Sequence, residues 1–252
     1  MSNDSLSSVR RALEVLRALG EGRPLRVQDV AEIVDKEKSQ VSRTLKVLAE
    51  EGFVERDAES MEYRLGWEIF ALAQAAGDHA LHREAPSVLR SLVRETGEAA
   101  YLTVLAGSAA VTVLTERPGR ALQAQEWIGR AAPLNCTSSG RALLLGLPDE
   151  EVVSLLAVHP DPLPGAGHAP HSVQEVLDRL KKERVAGHVV AVEEYEPGLA
   201  AVAAPVLDFR GATVAAINVS GPLFRLPAEA IASVTEAVTE AAARLSRVLG
   251  SG

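Results

Sequence analysis

Thr137, Ser138 and Ser139 stand directly before Gly140 and an apolar run that reaches Leu147. Hydroxyl residues and a glycine at the start of a helix offer two kinds of chemistry. The first N–H groups of the helix have no partner inside it, and with the helix dipole they attract an anion such as a carboxylate. The same hydroxyls can instead simply cap the helix. Asn218 and Ser220 lie two residues apart in an apolar strand, so both point to one face and can complete a pocket there. Glu193 and Glu194 are neighbours in sequence and therefore point in opposite directions. One can accept a hydrogen bond from a ligand hydroxyl, or the pair can be solvated.

Catalysis and metal binding find little support. Ser138-Ser139-Gly140 is not a Gly-x-Ser-x-Gly elbow, no phosphate-cradling glycine loop is present, and no motif sets a histidine beside a serine or cysteine. His159, His168 and His171 lie in a Pro/Gly-rich stretch without carboxylate or cysteine at ligand spacing. The chain is thus expected not to be an enzyme and to need no cofactor or metal. Cys136, the only cysteine, excludes an intramolecular disulfide and reads as a small buried residue.

A second group of residues suits nucleic acid. Lys36, Lys38, Arg43 and Lys46 face only Glu37 in the same short stretch, although the whole chain carries a net charge of -8. The spacing predicts a helix over 38–51 with Val41, Leu45 and Leu48 inward. Lys38, Ser39, Gln40, Ser42, Arg43 and Lys46 then project outward, types that bond base edges or phosphates.

The elements that would position these groups follow from periodicity. Over 6–19, Leu6, Val9, Leu13, Leu16 and Leu19 recur at helical steps; a short helix over 27–34 places Val30, Ile33 and Val34 inward. With the basic helix and a hairpin at 53–56 and 63–65, this is the order of a winged helix-turn-helix. An Ala/Leu-rich helix over 67–79 joins the domains, and Pro86 marks entry to a helix over 87–95. Strands are predicted at 100–105, 110–114, 122–128, 187–192, 200–207 and 213–220, with helices over 137–147, 148–158, 172–185 and 227–249. The Pro/Gly-dense loop 159–170 is expected to be exposed. At 252 residues, 47% hydrophobic and 24% charged, the chain has room for two globular domains. No apolar run approaches the roughly 18 to 20 residues of a membrane helix. The first residues do not read as a secretory leader, so the cytoplasm is the expected compartment.

In this order and spacing the chain resembles the IclR family of bacterial transcription regulators. The winged helix carries the resemblance, with the segments Ala132-Pro133-Leu134-Asn135-Cys136-Thr137-Ser138-Ser139-Gly140-Arg141-Ala142-Leu143-Leu144-Leu145, Glu193-Glu194 through Gly198, Ala203-Ala204-Pro205-Val206, and Ala216-Ile217-Asn218-Val219-Ser220-Gly221-Pro222. It implies an α+β architecture: a winged helix-turn-helix DNA-binding domain (1–65), a linker helix (66–82) and a GAF-like α/β effector-binding domain (83–252). It implies dimers or dimers of dimers and operator DNA as partner, and with no apolar run of membrane length no membrane association is expected. The function it implies is a ligand-responsive regulator, more often a repressor. Asp35, Lys36 and Glu37 depart from the family at the turn, Asn135-Cys136 replaces the more usual histidine-alanine, and Ala201 sits where some members carry cysteine. The expected site is Ser138, Ser139, Gly140, Glu193, Glu194, Ala201, Asn218 and Ser220, holding an aromatic or short aliphatic carboxylate near Trp127. Leu134, Val202 and Ile217 are expected to line its apolar part.

Overall fold

Short apolar periods broken by charged turns give the first unit three helices and a hairpin. The computed structural model describes residues 2–20, 23–75, 79–119 and 128–250, and the chain divides into two units, Met1–His79 and Ala80–Gly252. In the first, α1 (Ser2–Leu19), α2 (Val27–Ile33) and α3 (Lys38–Glu50) precede a hairpin of β1 (Val54–Arg56) and β2 (Tyr63–Leu65), and α4 (Trp67–Ala75) follows. Val41, Leu45 and Leu48 face inward onto Val15, Leu19 and Val30, and Val54 and Tyr63 close this core from the hairpin. Asp35 takes a left-handed conformation (φ 49°) between α2 and α3, which a short polar side chain tolerates.

The core uses only the C-terminal part of the stripe expected on α1, Leu16 and Leu19. Val15, Ala18 and Leu19 are buried, whereas Val9 and Leu13 are exposed; the side chain of Leu6 lies outside the described residues. Small Ala18 allows close helix contact, so the packing face is rotated from the face of the largest apolar side chains. Of the apolar residues expected inward from the second helix, Ile33 is exposed, and Ala31 packs with Val30 instead.

The second unit is a six-stranded antiparallel sheet between two helical layers. Its strands are β3 (Ala99–Ala106), β4 (Ala109–Glu116), β5 (Ala131–Ala132), β6 (Val189–Val192), β7 (Leu199–Leu207) and β8 (Thr213–Pro222), in the order β5-β4-β3-β8-β7-β6. One parity of strand residues, including Leu102, Val202, Ala204, Ile217 and Val219, packs on α5 (His79–Thr96) and α9 (Ala228–Gly250). The other, including Ala110, Val189, Ala203 and Ala216, packs with α6 (Ser138–Leu144), α7 (Asp149–Leu156) and α8 (Val173–Ala186).

Two expectations change here. Pro86 lies inside α5 rather than at its entry. An interior proline costs about 3 kcal/mol, but Leu81, Val88, Leu89 and Leu92 on this helix are buried against the sheet, and each such side chain contributes about 1.5–3 kcal/mol. Packing therefore outweighs the break. Loop 159–170 is not simply exposed, because Leu163, Ala169 and Pro170 are buried. Most of the strand expected at 122–128, with Trp127, lies outside the described residues; Ile128 forms a single parallel bridge to Thr112, and the two-residue β5 follows it.

Candidate functional site

Strand alternation and the α6 entry together make a pocket in the second unit. Tyr101, Thr112, Asn218, Ser220 and Ala201 come from the sheet face that looks toward α6, with Ala191 and Leu199 beside them. Cys136, Thr137, Ser138 and Ser139 enter from the α6 side, and Glu194 and Tyr195 from the turn after β6. The space they enclose, including its open mouth, is about 560 Å³. Pairing sets this convergence: Asn218 lies opposite Tyr101 on β3 and Ala203 on β7, and Ser220 opposite Ala201.

Six of the expected residues, Ser138, Ser139, Glu194, Ala201, Asn218 and Ser220, line this pocket, and two do not. The Gly140 amide donates to Thr137 Oγ1 (3.0 Å), and a Cβ on Gly140 would come within 2.7 Å of the Leu134 carbonyl oxygen. Gly140 is thus a close-packing residue at a capped helix start. Glu193 has φ 54°, and its Oε1 accepts from the Gly198 amide at 2.8 Å, closing its own turn. The expected apolar lining is corrected: Val202 and Ile217 occupy the opposite face of the sheet, and Leu134 is fully buried in the core beneath α6. Alternation alone required this, since Ile217 cannot share a face with Asn218.

The pocket's donors and acceptors are unequal in commitment. Ser138 and Ser139 are buried, and among the described residues neither hydroxyl has a protein partner. Asn218 Oδ1 is 3.5 Å from the Thr103 hydroxyl, a marginal contact, and its amide nitrogen donates to no described residue. Glu194, by contrast, accepts from Arg141 Nη1 (2.5 Å) and Arg179 Nη1 (2.7 Å). Arg141 is fully buried and also donates to the Asn135 carbonyl (2.8 Å) and to Glu183 (2.9 Å). The two acids and two guanidiniums balance, so the pocket wall carries a carboxylate whose charge is compensated. Burial raises the Glu183 carboxyl above its ordinary range, against the lowering effect of Arg141. Burial likewise pushes the Cys136 thiol up to about 11 and raises Tyr101, which the Ser220 hydroxyl partly offsets.

Sequence reasoning missed Tyr101, Thr112, Tyr195 and the Arg141–Arg179–Glu183 cluster. Two signals were available. Tyr101 and Thr103 alternate as polar residues within an apolar strand, and Arg141 is a lone charge directly before Ala142-Leu143-Leu144. A charge among core residues implies a buried partner.

The second surface is α3. Lys38, Ser39, Ser42, Arg43 and Lys46 are exposed, and Gln40 is half-buried because Arg11 Nη1 donates to its Oε1 at 2.7 Å. Arg43 Nε donates to the Ser39 carbonyl (3.2 Å), and Lys46 lies 3.8 Å from Glu50, both side chains well exposed; such a pair is weak and leaves the ammonium available. In the hairpin, Arg64 pairs with Glu55 at 2.7 Å and Arg56 stacks 5.5 Å over Tyr63. Asp57 accepts the amides of Ser60 and Glu59, which hold its carboxyl below the usual range. Among the described residues, no group of three or more His, Cys, Asp or Glu side chains is arranged to hold a metal ion, and no helix is long and apolar enough to cross a membrane.

Comparison with known proteins covers nearly the whole chain. Residues 8–58 match the IclR helix-turn-helix domain and residues 73–247 the C-terminal domain of bacterial transcriptional regulator IclR. The glycerol operon regulatory protein of Streptomyces griseus is 34% identical over 98% of both chains. The HTH-type transcriptional regulator KdgR of Dickeya chrysanthemi is 32% identical over 88% of this chain and 73% of its own. Among solved structures, an IclR-type regulator from Alicyclobacillus acidocaldarius superposes with a TM-score of 0.80 at 25% identity, covering 97% of this chain and 99% of that one. An IclR homolog from Microbacterium hydrocarbonoxydans, solved with 4-hydroxybenzoate, shares the fold at a TM-score of 0.82 and 22% identity, covering 97% and 100%.

Proposed function

Because this chain belongs to the IclR family of bacterial transcriptional regulators, we propose that it is a repressor whose operator affinity is set by a small organic carboxylate held in the second unit's pocket. The observation that carries this reading is the set of donors that line the pocket without a protein partner among the described residues, the hydroxyls of Ser138 and Ser139 and the Asn218 amide. An acceptor-rich anion can pair with them, each hydrogen bond to the charged group contributing about 1.5–3 kcal/mol. Glu194 does not repel the anion outright, since Arg141 and Arg179 compensate its charge. The carbon skeleton then rests on Ala191, Leu199 and Ala201, and a ligand hydroxyl can donate to Glu194.

The chain acts as a homodimer or dimer of dimers, in which the acid biases the spacing of two α3 helices across the operator. Its exposed apolar residues Trp67 and Leu72 on α4 support assembly with a second copy. Light scattering at micromolar concentration should give a mass above one chain; a single-chain mass contradicts the dimer. Fluorescence anisotropy on the upstream region of the gene, with aromatic and short aliphatic acids, tests the whole reading. An active acid should lose its effect in Ser220→Leu, whose side chain fills the pocket, while ligand-free operator binding stays unchanged. Retained potency in that variant would place the acid elsewhere.

A further inference from the structure

Asn135 is buried just before α6, and one amide group of this side chain serves two acceptors. Its Nδ2 donates to the Pro164 carbonyl at 2.6 Å and to the Pro170 carbonyl at 2.8 Å, two points on loop 159–170. Arg179 of α8 fastens the stretch between them: Nη1 donates to the Glu194 carboxylate at 2.7 Å and Nη2 to the His168 carbonyl. The Ala166 amide donates to the Glu194 carbonyl at 2.7 Å. The loop passes so close behind the pocket that a Cβ on Gly165 would lie 3.0 Å from Cys136 Cβ, and one on Gly167 2.8 Å from the Glu193 carbonyl oxygen. Cys136 and Glu194 are pocket wall on their other side. Only Leu163, Ala169 and Pro170 of the loop are buried, so its attachment is largely polar, the kind of segment that opens locally before the fold does.

We propose that Asn135 and Arg179 are positioning residues that latch loop 159–170 behind the Cys136–Glu194 wall of the pocket, and that release of this latch loosens the wall and exposes Cys136. The inference deepens the reading of the pocket as a ligand site, but its readout needs no ligand. Neutral Asn135 suits the task because its amide presents two N–H groups to two carbonyls. A histidine in its place offers the loop a single ring N–H in any one direction.

Cys136 is the only cysteine and is 1% exposed, so a rise in its rate of modification by methyl methanethiosulfonate above that of the parent, which includes any access through the pocket, reads the loosening of the wall in the full-length protein at fixed pH. Asn135→Asp keeps the shape and loses both donors. Arg179→Gln removes the fork from a side chain that is 35% exposed while Arg141 still pairs with Glu194. Each should accelerate modification about tenfold or more, with a urea dependence much shallower than that of global unfolding followed by circular dichroism. Arg179→Lys, which retains a charged donor for Glu194, should restore part of the protection. Unchanged rates overturn the proposal, and so do rates that rise only in proportion to lost global stability, with the urea dependence of unfolding itself. If the pocket binds no acid, the thiol rates stand as measured, and the failed reading shows instead as operator binding in the unsubstituted protein that no acid changes.

Discussion

A guanidinium withdrawn from water must have its donors engaged, and Arg141 meets that demand by joining α6, the Glu194 pocket wall and α8 through Glu183. Arg141→Leu should destabilise the protein by about 3–5 kcal/mol, since it leaves Glu194 and Glu183 with one cation, Arg179, between them. A urea midpoint close to that of the parent would show that the cluster is screened or rearranged. On the other surface, we propose that roles divide between side chains of the same sign. If Arg43 reads bases, Arg43→Ala should cost about 1–3 kcal/mol on operator DNA and relax discrimination against altered sites. Lys46→Ala should weaken all sequences alike and reduce the salt slope of binding by about one per site. Anisotropy titrations across salt concentration distinguish the two. Gln40 was legible as a candidate, but its tie to Arg11 was not, because the partner lies 29 positions away.

Among the elements, α3, the hairpin and most sheet strands were legible because each announces itself through a local period and a turn residue. What was hidden depends on tertiary choice. The buried face of α1 is decided by which residues let α3 approach, and Pro86 sits inside α5 because distant strands bury its neighbours. The entry to α6 shows both sides of this. Thr137 as a cap could be read from its type, whereas the need for glycine at 140 comes from the Leu134 backbone folding back beneath the helix. Gly140→Ala should therefore cost about 1–3 kcal/mol and disturb the pocket, as overpacking does. Gly187→Ala, at φ 73° with open space around it, should cost only about 1 kcal/mol. Urea denaturation of the two variants checks the contrast, and equal losses would show that backbone strain rather than contact governs both.

At the scale of the whole molecule, each unit carries its own core, and the pocket is built entirely from residues beyond Ala80. Residues 80–252 expressed alone should unfold in one cooperative transition, and an acid that binds as proposed should raise their melting temperature as it does that of the full chain. A fragment that is molten by near-ultraviolet circular dichroism would refute that independence. The sheet's alternation has a further consequence for how the proposed ligand selectivity can change. Tyr101, Ala201, Asn218 and Ser220 all belong to one parity, while their immediate neighbours Leu102, Val202, Ile217 and Val219 belong to the core on the other side. Retuning selectivity thus requires changes only at every second strand position, where side chains border a cavity rather than a packed interior. A library randomised at those four positions should yield many folded variants with altered ligand preference, whereas the same effort one residue along each strand should yield mostly unfolded chains. Under the proposed reading, the register of the strands leaves natural drift a route to new ligands that does not pass through instability.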